Sequence, residues 1–105
     1  MRFVETHVFT AAILRHLDDD AYRRLQVALM LRPEQGPVMQ GSGGLRKVRW
    51  ATTGGGKRGG LRVIYYWAPR EAAFYMLYVY TKADQGDLTP AQTRQLARVV
   101  REEFR

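Results

Sequence analysis

Two runs of this sequence decide its fold: Leu61-Arg-Val-Ile-Tyr-Tyr-Trp67 and Ala73-Phe-Tyr-Met-Leu-Tyr-Val-Tyr-Thr-Lys82. Both are rich in β-branched and aromatic residues, as is typical of strands. A short polar link, Ala68–Ala72, separates them, and consecutive strands with so short a connection pair antiparallel. A third such run, Leu45–Ala51, precedes them and is joined to them by a glycine-rich connection over Thr52–Gly60. We therefore predict a sheet built around three consecutive strands.

The region before these strands is predicted to be mainly helical. A short strand over Arg2–Phe9 is followed by two helices, roughly Thr10–Leu17 and Asp19–Leu31. An aspartate at the start of the second helix, Asp18 or Asp19, is suited to accept hydrogen bonds from its first free amides. Arg32-Pro33 ends that helix, because the residue before a proline is pushed out of the α region.

The last helix has the clearest start signal in the chain. Thr89 is a good N-cap, Pro90 suits the first helical position, and Gln92 completes a capping box. The predicted element order is therefore β-α-α-β-β-β-α. We expect an α+β fold, with a small, mostly antiparallel β-sheet and helices packed on one face. Residues 1–105 are expected to form a single domain, because a second core would need more chain.

Charge is distributed unevenly along the chain. The net charge is +7, and none of the 10 acidic residues lies between Gln35 and Arg70. That window contains Arg46, Lys47, Arg49, Lys57, Arg58, Arg62 and Arg70. So concentrated a basic block predicts a site for a polyanion, with nucleic acid first, although an acidic protein partner that covers the charge is an alternative.

Several classes of site are excluded or disfavoured by composition. The absence of cysteine excludes disulfides, thiolate zinc sites and cysteine nucleophiles. No metal site or cofactor is expected, and the two histidines, His7 and His16, are interpreted as structural. The glycine-rich Gly54–Gly60 contains Gly-Lys but lacks the full phosphate-loop pattern. With no apolar run long enough to cross a membrane, the expected location is the cytoplasm.

Strand alternation predicts which side chains share a face of the sheet. Leu61, Val63, Tyr65 and Trp67, with Tyr75, Leu77, Val79 and Thr81, are expected to form the helix-covered core. The other face is expected to be open and to carry Lys47, Arg49, Arg62, Tyr66, Phe74, Met76, Tyr78, Tyr80 and Lys82. Cations hold phosphates and aromatic rings stack on bases, so this face is a candidate RNA surface, although ordinary packing of the tyrosines is the alternative.

Such a face has the chemistry for RNA cleavage without histidine. Attack of the 2′-hydroxyl on the adjacent phosphate requires stabilisation of the negative charge that develops, together with proton transfers. Arginine gives permanently charged, bidentate support, and a lysine among other cations can have its pKa lowered for acid–base work.

Four stretches of the chain carry a specific pattern. They are Gly43-Gly-Leu-Arg-Lys-Val-Arg-Trp50, Gly56-Lys-Arg-Gly-Gly-Leu-Arg-Val-Ile-Tyr-Tyr66, Tyr78-Val-Tyr-Thr-Lys82 and Asp87-Leu-Thr-Pro-Ala-Gln92. Together they resemble the HigB branch of the RelE toxin superfamily, over nearly the whole chain. The resemblance implies a type II toxin that enters the ribosomal A site and cuts mRNA there, in contact with rRNA and without a metal. It also implies a helix-turn-helix, HigA-like antitoxin, with operator DNA bound only through the toxin–antitoxin complex.

The resemblance also assigns roles to residues. Arg62 matches the strand arginine that holds the scissile phosphate, and Lys82 matches the basic residue at the end of the last strand. Lys47 and Arg49 match a basic pair on the preceding strand, and these four are the expected catalytic residues. The expected RNA-binding residues are Arg46, Lys57, Arg58, Tyr66 and Tyr80.

One feature departs from the family pattern. RelE has a tyrosine near the start of its last helix that is implicated in proton transfer, whereas Gln85-Gly-Asp-Leu-Thr89 stands here. The general base is therefore open among Tyr80, Lys82, Asp84 and Lys47. Two other functions remain: a ParE-like gyrase inhibitor with the same fold, and a nucleic-acid-binding module without catalysis.

Overall fold

The structure, a computed structural model, describes residues 1–51 and 60–103. The strands in this part are β1 (Arg2–Glu5), β2 (Arg46–Trp50), β3 (Leu61–Ala68) and β4 (Ala73–Thr81). The helices are α1 (His7–His16), α2 (Asp19–Leu31) and α3 (Pro90–Glu103), and a 3₁₀ turn, Pro69–Glu71, joins β3 to β4. The predicted element order and the α+β class are thus confirmed. Within the described ranges, no helix combines the length and apolar character needed to span a bilayer.

The strands of the described chain form one mixed sheet in the order β1-β4-β3-β2. The pairs β2–β3 and β3–β4 are antiparallel, as the short connections predicted, while β1 runs parallel to β4 at the edge. The two strand-like runs on which the fold prediction was based, now β3 and β4, are therefore the two central strands of the sheet. Their position explains their composition, because strands buried on both faces are apolar nearly throughout.

The first helix begins earlier than predicted. Strand β1 ends at Glu5, and α1 already starts at His7 because the Thr6 hydroxyl accepts a hydrogen bond from the Phe9 amide at 3.0 Å. Phe9 is therefore a buried helical residue and not part of a strand. The predicted N-terminal caps of the other two helices are confirmed. Asp18 caps α2 by accepting from the Ala21 amide at 2.8 Å, and Thr89 and Gln92 form a reciprocal capping box at α3.

The expectation that the helices pack on one face of the sheet was wrong in one respect. Helices α1 and α2 cover one face, where Phe9, Leu25 and Leu29 pack against β3 and β4. Helix α3 covers part of the opposite face through Ala97 and Val100. The physical reason is that the central strands carry large apolar side chains on both faces, so each face needs its own cover.

A β-bulge in β4 changes which side chains share a face. Ile64 pairs with Tyr78, but the next residue, Tyr65, pairs with Met76, which leaves Leu77 as an extra residue. Phe74 and Met76 therefore belong to the core under α1 and α2, whereas Tyr75 and Leu77 belong to the core under α3. These four assignments reverse the prediction, which assumed unbroken alternation.

Thr6 fixes the bulge and the start of α1 at the same time. Its hydroxyl donates to the Leu77 carbonyl at 2.9 Å while it accepts from the Phe9 amide, and its own amide donates to the Met76 carbonyl at 3.1 Å. A carbonyl freed from the sheet by a bulge is costly when it is buried without a partner. One hydroxyl thus gives a hydrogen-bond partner both to a carbonyl of the bulge and to a free amide at the start of α1.

We expect Thr6→Val to lower the free energy of unfolding by about 2 kcal/mol, roughly one for the lost N-cap and one for the lost bond to Leu77. Thr6→Ser, which keeps the hydroxyl, is the matched control and should stay within about 0.5 kcal/mol of wild type. Urea unfolding followed by circular dichroism measures both. Equal stability of the two variants would contradict the role assigned to this hydroxyl.

Candidate functional site

Three of the predicted site residues lie side by side at one end of the sheet. The strand register places Arg49 of β2 opposite Arg62 of β3, and Arg62 opposite Tyr80 of β4. Side chains directly opposite each other on neighbouring strands lie about 5 Å apart at Cβ. Lys47 and Tyr78 flank this row on the same face, both paired with Ile64. We call Lys47, Arg49, Arg62 and Tyr80 the cationic cluster.

Arg62 is the buried centre of the cationic cluster. It is only 9% exposed, and its Nη1 donates to the Gly60 carbonyl at 3.1 Å. Among the described residues, no buried side-chain nitrogen or oxygen lacks a hydrogen-bond partner. A main-chain carbonyl thus holds one nitrogen of the Arg62 guanidinium in place, and a guanidinium held in this way suits the binding of an anion with fixed geometry.

The electrostatics of the row favour a bound anion. Arg49 is exposed, and like charges directly opposite each other across a strand pair repel. Within residues 1–51 and 60–103, no carboxylate forms an ion pair with Arg49 or Arg62. A phosphate between the two guanidinium groups would remove this repulsion and give both groups a partner.

Asp87, in the turn before α3, joins the cationic cluster. Its Oδ1 accepts from the Lys47 Nζ at 3.3 Å, from the Tyr80 hydroxyl at 3.3 Å and from the Leu88 amide at 2.8 Å. The carboxylate thus ties two side chains of the sheet to the start of α3. Asp87 was not among the candidates from the sequence, because 40 residues separate it from Lys47 and the contact depends on how α3 packs.

This contact changes the protonation chemistry of both acidic groups. The Leu88 amide lowers the pKa of Asp87 below its ordinary 3.8, with further lowering by Lys47 and Tyr80. Burial and, to a smaller extent, the negative charge and hydrogen bond of Asp87 together raise the pKa of Tyr80 to about 12. At neutral pH, Asp87 is therefore a carboxylate, and Tyr80 is a protonated hydroxyl.

Other predicted residues lie elsewhere. Arg46 lies on the opposite face of β2, where its guanidinium donates to the Gly36 carbonyl at 2.9 Å and pairs with Glu34. Tyr66 lies on the face of the cationic cluster but near the far end of the sheet, where its ring contacts that of Tyr75. The structure does not bring Arg46 or Tyr66 to the cationic cluster.

The remaining candidates differ in accessibility. Tyr80 is only 2% exposed, so its ring packs in the core under α3 and its hydroxyl is the part that takes part in the site. Lys82 and Asp84 are exposed in the turn that follows β4. Lys57 and Arg58 lie outside the described residues. In the described part of the chain, no three histidine, aspartate or glutamate side chains are grouped as metal ligands would be.

The fold and the cationic cluster together define a small basic α+β protein with basic side chains at one end of its sheet. A family model described as the RelE toxin of the RelE/RelB toxin–antitoxin system matches residues 15–104. The chain therefore belongs to the RelE toxin family, a family of toxins from toxin–antitoxin systems.

Solved structures show the same fold. A mutant of the E. coli toxin RelE in the free state is similar over 97% of this chain and 96% of its own, with a TM-score of 0.59 at 11% identity. A chain of the intact E. coli RelBE toxin–antitoxin complex is similar over 75% of this chain and 93% of its own, with a TM-score of 0.53 at 14% identity.

The lowered pKa of Asp87 predicts a pH-dependent contribution to stability. Because the folded pKa lies below the unfolded value near 3.8, the contribution is present above that pH and is lost as the pH falls through the folded pKa. We expect Asp87→Asn to lower the free energy of unfolding by about 0.5 kcal/mol at neutral pH, a small effect because the carboxylate is largely exposed and screened.

The measurement is urea unfolding of wild type and Asp87→Asn at pH 7 and at a series of lower pH values, where the difference should shrink as the carboxylate of wild type is protonated. Asp84→Asn is the matched control, since it removes a carboxylate of the same turn that does not contact Lys47 or Tyr80. A difference that persists in acid would show that the substitution acts through something other than charge.

Proposed function

We propose that this protein is the toxin of a type II toxin–antitoxin system and acts as a ribosome-dependent mRNA endonuclease. The observation that carries the proposal is the Arg62 guanidinium, anchored on the Gly60 carbonyl and directly opposite Arg49 on the neighbouring strand. Membership of the RelE toxin family supports the same function. The substrate would be mRNA in the ribosomal A site, cut by attack of a 2′-hydroxyl on the adjacent phosphate.

The cationic cluster would stabilise the charge that develops on the phosphate. Arg62 is preorganised, because its guanidinium is bound to a main-chain carbonyl and its stem is buried. Donors that need no rearrangement at the moment of reaction contribute most to this kind of stabilisation. Arg49 would complete the pair, and Lys82, exposed in the turn that follows Tyr80, would add a third positive charge from the end of β4.

The network around Asp87 would handle the protons. Tyr80 keeps its proton at neutral pH and so acts as a hydrogen-bond donor, while Asp87 is ionised and can accept one. Lys47 of the cluster forms an ion pair with this carboxylate at 3.3 Å. A carboxylate with a lowered pKa is a weak base, so we expect the isolated protein to cut free RNA poorly and to depend on the ribosome to position the reacting groups.

A protein antitoxin is the expected partner. The net charge of +7 favours an acidic segment that covers the cationic cluster, and one structural neighbour is a chain of a toxin–antitoxin complex. We propose a helix-turn-helix antitoxin, with operator DNA bound only through the complex and action in the cytoplasm.

Arg62→Lys tests the proposal most sharply, because it keeps the positive charge but loses the planar, multiple-donor group. We expect mRNA cleavage to fall by about 100-fold or more, as for loss of one preorganised donor in other enzymes. Wild type and variants are induced in a bacterial host, and growth is followed together with the 5′ ends of translated mRNAs. Circular dichroism confirms that each variant is folded.

Arg70→Ala is the matched control, because this exposed arginine follows the far end of β3 and should leave cleavage unchanged. New mRNA ends that depend on Arg62 would support the endonuclease. Growth arrest without new mRNA ends would contradict it and point to a ParE-like action on gyrase. RNA binding without arrest would indicate a module without catalysis.

A further inference from the structure

A groove of about 610 Å³ opens directly beside the cationic cluster. One wall is the segment 37–41, and the other is the turn before α3 with the first turn of that helix. Lys47 and Asp87 line the same groove, so it is continuous with the proposed phosphate site. Arg94 of α3 adds a second positive charge at its border.

The wall formed by segment 37–41 is held firmly. Its backbone pairs with β2 through the bonds Met39 amide to Leu45 carbonyl at 2.7 Å and Lys47 amide to Pro37 carbonyl at 3.1 Å. The buried Ser42 hydroxyl then donates to the Met39 carbonyl and accepts from the Leu45 amide at 3.0 Å. A groove with such a wall exists before any ligand arrives, which reduces the cost of binding.

The groove combines an apolar surface with few polar groups. Pro37, Val38, Met39, Leu88 and Pro90 provide the apolar surface, and Val38 is 52% exposed. Gln40 and Thr93 are the neutral polar side chains among its lining residues. This composition is typical of sites that hold a flat organic group by apolar contact and fix its orientation by one or two hydrogen bonds.

We propose that this groove binds the base of the nucleotide next to the cleaved phosphate and sets the base preference of cleavage. The inference rests on the proposed function. Lys47, which lines the groove, belongs to the same cluster as Arg49 and Arg62, which are proposed to hold the phosphate. An apolar groove beside a phosphate site has the layout of a nucleotide, in which a base and a phosphate are joined through one sugar. Gln40 and Thr93 would hydrogen-bond the edge of the base, where RNA sequence is recognised.

The charge of the groove favours RNA over a neutral occupant. Lys47 and Arg94 attract an anion, and Asp87 already neutralises part of Lys47. An acidic peptide of a protein partner also carries negative charge and is therefore the outcome to be separated by experiment. If the groove binds only a peptide, substitutions in it leave the base preference of RNA cleavage unchanged. If the groove binds a base, the same substitutions change that preference.

Two kinds of variant test the inference. Thr93→Val keeps the shape of the side chain but loses the hydroxyl, and Gln40→Ala loses the amide. In both variants, the preference for the favoured base at the cut positions should fall by about tenfold. Val38→Glu places a negative charge in the groove and should lower total cleavage by about tenfold. Val38→Gln is its neutral counterpart, and Val27→Glu places the same charge on an exposed site of α2.

The readout is the set of mRNA 5′ ends in induced cells, with and without a co-expressed antitoxin. A shifted base profile in Thr93→Val or Gln40→Ala, with wild-type behaviour of Val27→Glu, supports the inference. Active variants with the wild-type profile overturn it, and loss of antitoxin neutralisation in these variants would assign the groove to a protein partner instead. If wild type produces no mRNA ends, the proposed function itself fails and the inference fails with it.

Discussion

The architecture depends on the hydrogen bond between the Thr6 hydroxyl and the Leu77 carbonyl. This bond stabilises the bulge in the middle of β4, where the alternation of side chains between the two faces is interrupted. As a result, Phe74 and Met76 face α1 and α2, whereas Tyr80 lies on the opposite face, under α3. The same hydroxyl caps α1, which ties the position of the first helix to the geometry of the central strand pair. Without the extra residue, Phe74, Met76 and Tyr80 would all lie on the same face of the sheet, because side chains alternate along an unbroken strand.

Arg62, on the strand next to the bulge, is held at an energetic cost. Arg62 is a charged group in a nearly buried position, and burial of a charge is unfavourable unless it is paired and hydrogen-bonded. The Gly60 carbonyl accepts a hydrogen bond from Arg62, and Asp87 neutralises Lys47 on the neighbouring strand. The resting protein thus holds a carboxylate close to where a substrate phosphate is proposed to bind. A cationic cluster without any counter-charge would weaken the sheet end that supports it.

Most of the fold follows from the sequence because its signals are local. Pro33 after α2, the capping box of Thr89 and Gln92, and the short link between β3 and β4 each act within a few residues, and each prediction made from them is confirmed. The errors have long-range causes. The bulge depends on Thr6, 71 residues away in sequence, and the cover of the second face depends on the docking of α3.

The candidate site, too, is predicted from the sequence where local patterns determine it and is missed where long-range packing determines it. Arg49, Arg62 and Tyr80 lie side by side on one face of the sheet, as the alternation of side chains along each strand predicted. The prediction is correct here because all three residues lie on the same side of the bulge in β4. Alternation does not report accessibility, however. The same face that exposes Arg49 buries the ring of Tyr80 under α3, so a base cannot stack on that ring in this arrangement. If RNA binds here, its bases need another apolar surface, and the groove between segment 37–41 and α3 adjoins the side chains that are proposed to bind phosphate. The burial of Tyr80 and the presence of the groove thus have one cause, the packing of the last helix across the end of the sheet.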